Sequence, residues 1–79
     1  MLLCKVVGSV VSTRKNEKLT GSKFLVVEAV SAPSMQFVAV DHIGAGIGEK
    51  VLVTCGSGAR LAVSEDMPID AAVIGIIDE

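Results

Sequence analysis

Apolar residues in this chain come in short runs separated by polar or glycine-rich stretches. The run "LLCKVVGSVVST", from Leu2 to Thr13, is apolar at nearly every position and predicts one long strand, with Gly8 in its middle where a strand bends or bulges. "RKNEKLTGSK" is polar and carries Asn16 and the Gly21–Ser22 pair, which predicts a hairpin loop with solvated charges. "KFLVVEAV" predicts the second strand, ended by "SAPS", because Pro33 cannot donate to a ladder and pushes Ala32 toward an extended conformation. "MQFVAVD" predicts the third strand, "EKVLVTC" from Glu49 to Cys55 the fourth, and "DAAVIGIIDE" the fifth. Between the last two, Ser57 is expected as an N-cap before Ala-Arg-Leu-Ala, enough for one helical turn ahead of Pro68. The pattern predicts an all-β fold: a small five-stranded, partly closed antiparallel barrel of OB-like type with one short helical turn, as one domain over residues 1–79.

Several of these runs are apolar on both faces. In "AAVIGII", simple alternation sends Val73 and Ile77 to one side and Ile74 and Ile76 to the other, so a lone barrel would leave one set in water. A chain of 79 residues buries only roughly 60% of its unfolded surface and needs support. Cys4 and Cys55 form neither a disulfide framework nor a zinc knuckle at their spacing, and His42 is the only histidine, so no structural metal and no cofactor is expected. Elimination leaves oligomerisation.

Composition strengthens the strand assignment. Hydrophobic residues make up 51% and aromatics 3%, and the apolar mass is dominated by thirteen valines and six isoleucines, the β-branched types that suit a pleated sheet. A net charge of −2 and a pI near 5.2 supply no basic footprint for nucleic acid. No apolar run approaches the ~18 residues of a membrane span, and Lys5 interrupts any signal-peptide core, so the chain is expected to stay in the cytosol, away from membranes.

The stretch "DHIGAGIGEKVLVTCGSGAR", Asp41 to Arg60, holds five of the eight glycines. "GAGIGEK" fails as a dinucleotide fingerprint, because Glu49 stands three residues after Gly46 and a strand follows. It fails as a P-loop, because Glu49 precedes Lys50 and Val51 follows it. Gly44, Gly46 and Gly48 are expected to permit positive φ and the close approach of another backbone. Singly each reads as a tight turn; at alternate positions beside Glu49 they read as a shaped contact surface. His42 adjoins Asp41, and strand neighbours point to opposite faces, so no triad is predicted; Glu65–Asp66 and Asp78–Glu79 read as solvated ends. Arg60 has two readings, a staple between subunits or an exposed arginine drawn to orphan helix carbonyls.

Together these residues resemble the EutN/CcmL family of bacterial microcompartment vertex proteins over essentially the whole length. The resemblance is carried by Val7-Gly8 with Thr13, Lys15, Leu19, Gly21 and Lys23; by Asp41, Gly44, Ala45, Gly46, Gly48 and Glu49; by Gly56, Ser57, Ala59 and Arg60; and by Pro68, Asp70, Gly75 and Asp78. It implies a non-enzymatic shell component with an OB-like barrel, five copies of which form a ring that plugs a vertex of a polyhedral shell whose facets are hexameric shell proteins. Gly44, Ala45, Gly46, Gly48, Glu49, Ser57, Ala59 and Arg60 are the expected contact residues, between protomers or against hexamers. The chain departs from the family pattern at Gly58, where glycine is expected to loosen the turn, and its loop from Ser31 to Gln36 is short. The alternative is an OB-fold nucleic-acid-binding module, for which Phe24 and Phe37 are the only stacking residues.

Overall fold

The computed structural model describes residues 1–11, 16–19, 21–63 and 68–78. Thr13, Lys15, Glu65–Asp66 and Glu79 lie outside the described residues. Five strands form: β1 (Leu2–Val10), β2 (Lys23–Ala29), β3 (Ala32–Asp41), β4 (Lys50–Cys55) and β5 (Ala71–Ile77), with a 3-10 turn at Glu17–Leu19 and one helix, α1 (Ser57–Ala62). No described helix is long and apolar enough to cross a membrane.

The strands close into a barrel in the order β1-β2-β3-β5-β4. Closure comes from a short parallel pairing, Val40 with Ala72 and Asp41 with Val73, while every other neighbour is antiparallel. The sequence pattern predicts a partly closed antiparallel barrel; the structure closes it, and does so through this parallel pair. The parallel seam was invisible because it joins strands with β4 and α1 between them, and no local turn chemistry announces such a pairing.

Alternation builds the core. Along β2, Leu25, Val27 and Ala29 are buried, and Leu25 and Val27 meet Cys4 and Val6 of β1, Val51 and Val53 of β4, and Val73 of β5 in one cluster. Each fully buried valine or leucine contributes on the order of 1.5–3 kcal/mol.

Three irregularities correct the strand-by-strand expectation. On β1 the register slips between Val6 and Gly8, the bulge expected at that glycine. On β3, Pro33 lies inside the strand instead of ending its predecessor. The ladder passes from Glu28–Gln36 directly to Ala29–Ala32, so Pro33, Ser34 and Met35 bulge out and no ladder bond needs the missing proline N–H. On β5 the register slips opposite Leu52 and Val53, leaving Ile74 between the paired Val73 and Gly75. The extra residue breaks simple alternation, so Val73 and Ile76 both pack on the core, where the sequence pattern separated them.

Cys4 is fully buried and Cys55 exposed, both as free thiols. Burial, and secondarily the Cys55 thiol, pushes the Cys4 thiol above its ordinary value of 9.0. The fold therefore holds Cys4 protonated, and above about pH 9 the unfolded chain loses that proton first, so stability falls as pH rises there. Urea midpoints measured at pH 8 and pH 10 are expected to differ more in the native sequence than in Cys4→Ala. An equal difference in both proteins removes Cys4 from the alkaline response.

Candidate assembly interface

The glycine loop between β3 and β4 is organised around one carboxylate. Asp41, at the end of β3, is 3% exposed. Its Oδ1 accepts the N–H groups of Ile43 at 2.8 Å and Gly44 at 3.1 Å, and its Oδ2 accepts that of Ala45 at 2.8 Å. Lys23 of β2 braces the same spot, donating from Nζ to the Ala45 carbonyl at 2.8 Å and standing 3.8 Å from Asp41 Oδ2. Gly46 N–H donates to Glu49 Oε1 at 2.6 Å, and Glu49 N–H to the Gly46 carbonyl at 3.1 Å. Gly48 N–H reaches the Val6 carbonyl at 2.8 Å and Val6 N–H the Glu49 carbonyl at 2.9 Å, which ties the loop to β1 where its ladder with β4 ends.

The amides of residues 43–46, 48 and 49 are thus all engaged by the chain's own acceptors. A phosphate-binding loop needs such donors free and convergent on an external anion. Here the anion is Asp41, and the loop is a self-satisfied shape.

The glycines have different reasons to be there. Gly44 and Gly48 sit at φ +106° and +93°, where an L side chain is strained. Gly46 departs from the positive φ expected of it; a Cβ there would lie 3.3 Å from Glu49 Oε1, so a larger residue requires the Glu49 carboxylate to give way by a few tenths of an ångström. Ala45 also departs from expectation. It is fully buried in the core cluster and anchors the loop from beneath, with no surface to offer a neighbour. What the loop does present is Ile43, 54% exposed, and Ile47, 70% exposed.

The second predicted segment lies at the other end of β4, a strand of six residues and so roughly 20 Å long. The two glycine clusters are separate surfaces. Gly56, at φ +65°, is the residue before the first helical turn, and Ser57 is the first helical residue, so the expected Ser57 cap is corrected. The chain must reverse out of β4 through a left-handed conformation that glycine adopts cheaply; Gly56 N–H is held by the Asp70 carbonyl at 2.7 Å. Gly58 is required by contact: a Cβ there would stand 2.6 Å from Thr54 Oγ1. Glycine at this position seats the helix tightly on β4, the opposite of the loosening expected. Ala59 is fully buried beneath the helix, so it too supports the surface without belonging to it. Ser57 and Arg60 are exposed. The Arg60 side chain makes no hydrogen bond or ion pair with another described residue, and Leu61 beside it is 72% exposed.

Sequence reasoning missed Asp41 and Lys23 as the organisers of the loop. The signal was present, since an aspartate ahead of a tight glycine turn is the pattern of a side chain capping its own following amides. His42 Nε2 and Ser22 Oγ lie 3.2 Å apart at the surface. Among the described residues the buried carboxylate is Asp41, which is taken by the loop amides and not by His42, whereas a catalytic histidine is oriented by a buried acid. Among the described residues no group of three or more histidine, cysteine, aspartate or glutamate side chains is placed to hold a metal ion. Phe37 packs against the core and Phe24 is half-buried, so neither ring stands free as a stacking platform.

Known proteins match nearly the whole of this chain. The family model described as "Ethanolamine utilisation protein EutN/carboxysome" matches residues 1–78. The bacterial microcompartment shell vertex protein GrpN of Rhodospirillum rubrum is 52% identical over 83 residues, covering 99% of this chain and 93% of GrpN. The carboxysome shell vertex protein CcmL of Synechococcus elongatus is 49% identical over 83 residues, covering 99% and 84%. The solved structure of GrpN, a pentameric microcompartment shell protein, superposes with a TM-score of 0.89 at 48% identity, covering 100% of this chain and 95% of that one. A closed five-stranded barrel, a self-satisfied glycine loop, a family model matched over residues 1–78 and about half identity to shell vertex proteins over 99% of its length place this chain in the EutN/CcmL family.

Proposed function

We propose that this chain assembles as a ring of five copies that caps a vertex of a bacterial microcompartment shell in the cytoplasm, and that its function is geometric, with no catalytic step. The observation that carries this is the full-length likeness to GrpN, whose solved structure is that of a pentameric shell protein. The glycine loop bearing Gly44, Gly46, Gly48 and Glu49 and the turn bearing Ser57 and Arg60 are contact surfaces of the assembled shell, whose flat facets are hexameric shell proteins. Two features support that role. Both segments are held rigid by internal hydrogen bonds, and both carry exposed groups suited to an interface: Ile43 and Ile47 on one, Arg60 and Leu61 on the other. No observation favours the nucleic-acid-binding alternative.

Native mass spectrometry is expected to show a pentamer. Arg60→Ala is expected to lower the pentamer fraction several-fold near the dissociation midpoint, since an arginine that bridges subunits typically contributes roughly 2 kcal/mol to the contact. A native sequence that stays monomeric at all concentrations rules out the ring. An Arg60→Ala protein as pentameric as the native one removes Arg60 from the contact.

A further inference from the structure

The β3–β5 seam closes the barrel over a short stretch and leaves the rest of one strand edge open. β3 runs over Ala32–Asp41, yet β5 pairs with it only at Val40 and Asp41. Residues 36–39 have β2 as their one strand neighbour, and among the described residues no backbone bond from a turn or loop reaches their other side. In a ladder every second residue turns its N–H and C=O to the same side, so this edge carries main-chain donors and acceptors with no strand to meet them.

The open edge faces a cleft. Met35 and Phe37 of β3 line it on one side and Cys55, Asp70 and Ala71, at the end of β4 and the start of β5, on the other; its volume is about 420 Å³. A second cleft, of about 160 Å³, has Val38 and Val40 in its lining and shares Asp70 and Ala71 with the first. Asp70 is exposed and is the only charged residue lining either cleft. Long open edges invite sheet-to-sheet aggregation, and this one is cut short: the bulge at Pro33, Ser34 and Met35 blunts its start and the seam ends it. What remains suits a short strand and not another sheet.

We propose that this edge docks a short extended segment of another protein, which adds to β3 as a strand in the cleft between β3 and the start of β5. Main-chain bonds to residues 36–39 hold the segment, the mode of recognition in which an extended peptide completes an open sheet edge. Its apolar side chains pack against Met35, Phe37 and Ala71, and a lysine or arginine in it pairs with Asp70. A further copy of this chain is not the source, because each of its described strands is already taken into its own barrel. The site is separate from the glycine loop and from the turn bearing Ser57 and Arg60, and it requires only that the edge stays open in the assembled protein.

A fluorescein-labelled, amidated peptide Thr-Val-Lys-Val-Thr titrated with the native assembly tests this by fluorescence anisotropy. It is expected to bind saturably, and on the order of tenfold more tightly than the same peptide with glutamate in place of lysine. Asp70→Lys is expected to reverse that preference and Asp70→Asn to abolish it, the second standing in if the first fails to fold. Methylating the backbone nitrogens of the peptide's valines, or instead those of its threonines and lysine, blocks one edge of the added strand at a time. One pattern is expected to abolish binding and the other to leave it within about threefold. The amide resonances that shift are expected to be those of residues 36–39 and 70–71. No saturable binding by either peptide overturns the proposal, as does binding that ignores both methylation patterns or that shifts amides elsewhere on the barrel. Binding by dissociated protomers but not by the assembly hands the edge to a neighbouring copy and overturns it too.

Discussion

Replacing Asp41 with alanine is expected to lower the stability of the protomer by roughly 3 kcal/mol, from loss of the charged acceptor alone. The carboxylate is almost fully buried and accepts three backbone N–H groups. Hydrogen bonds to a charged group are worth about 1.5–3 kcal/mol each when the partner is left orphaned, and the three are not additive because water can re-enter a loop that opens. The Lys23 contact at 3.8 Å adds little, since its ammonium is half-exposed and such pairs are screened. Against a typical total of 5–15 kcal/mol this is a large fraction. Asp41→Asn keeps the shape and one acceptor oxygen but turns an NH2 group toward amide donors, so it is expected to lose about as much. Urea denaturation measures both, and a loss below about 1 kcal/mol in Asp41→Ala removes Asp41 as the organiser of the loop. The loop also joins β3 to β4 at the parallel seam, where Asp41 pairs with Val73, so the variant is expected to lose ring assembly together with stability.

How much of this was legible beforehand divides along a physical line. Features fixed by local chemistry could be read: five strands from β-branched runs, a bulge at Gly8, a helical turn after the second glycine cluster. Features fixed by contacts distant in sequence could not. The β3–β5 seam pairs Val40 with Ala72 across an intervening strand and helix. Gly58 is dictated by Thr54 Oγ1, a contact that exists only once the helix has folded back on β4. A glycine-rich stretch has no periodicity to separate inside from outside, so the buried Ala45 and Ala59 read in sequence like their exposed neighbours. The bulge at Ile74 shows the same limit in reverse. Strict alternation is a sound rule for a strand, and one inserted residue, unmarked in "VIGII", moves Ile76 from the outer face to the core side.

Leu25→Ala is expected to cost roughly 3 kcal/mol through lost burial and the cavity left behind. Leu25 is 1% exposed and sits in the core cluster among Cys4, Val6, Val27 and Val53, packed by valines whose stiff β-branched side chains relax poorly into a void. Leu25→Met, which conserves volume, is expected to lose less than about 1.5 kcal/mol. The consequence for a small barrel is more than a lower midpoint. Association stabilises only the folded protomer, so by mass action a ring raises the melting temperature as protein concentration rises. The native sequence is expected to show a weak dependence of this kind and Leu25→Ala a strong one, folded and pentameric at tens of micromolar and largely unfolded when diluted into the nanomolar range. Thermal melts across that concentration series, read by circular dichroism, separate the two sources of stability. A Leu25→Ala protein that melts at one temperature at every dilution carries its stability within a single chain, and the apolar residues exposed outside the barrel then need no cover.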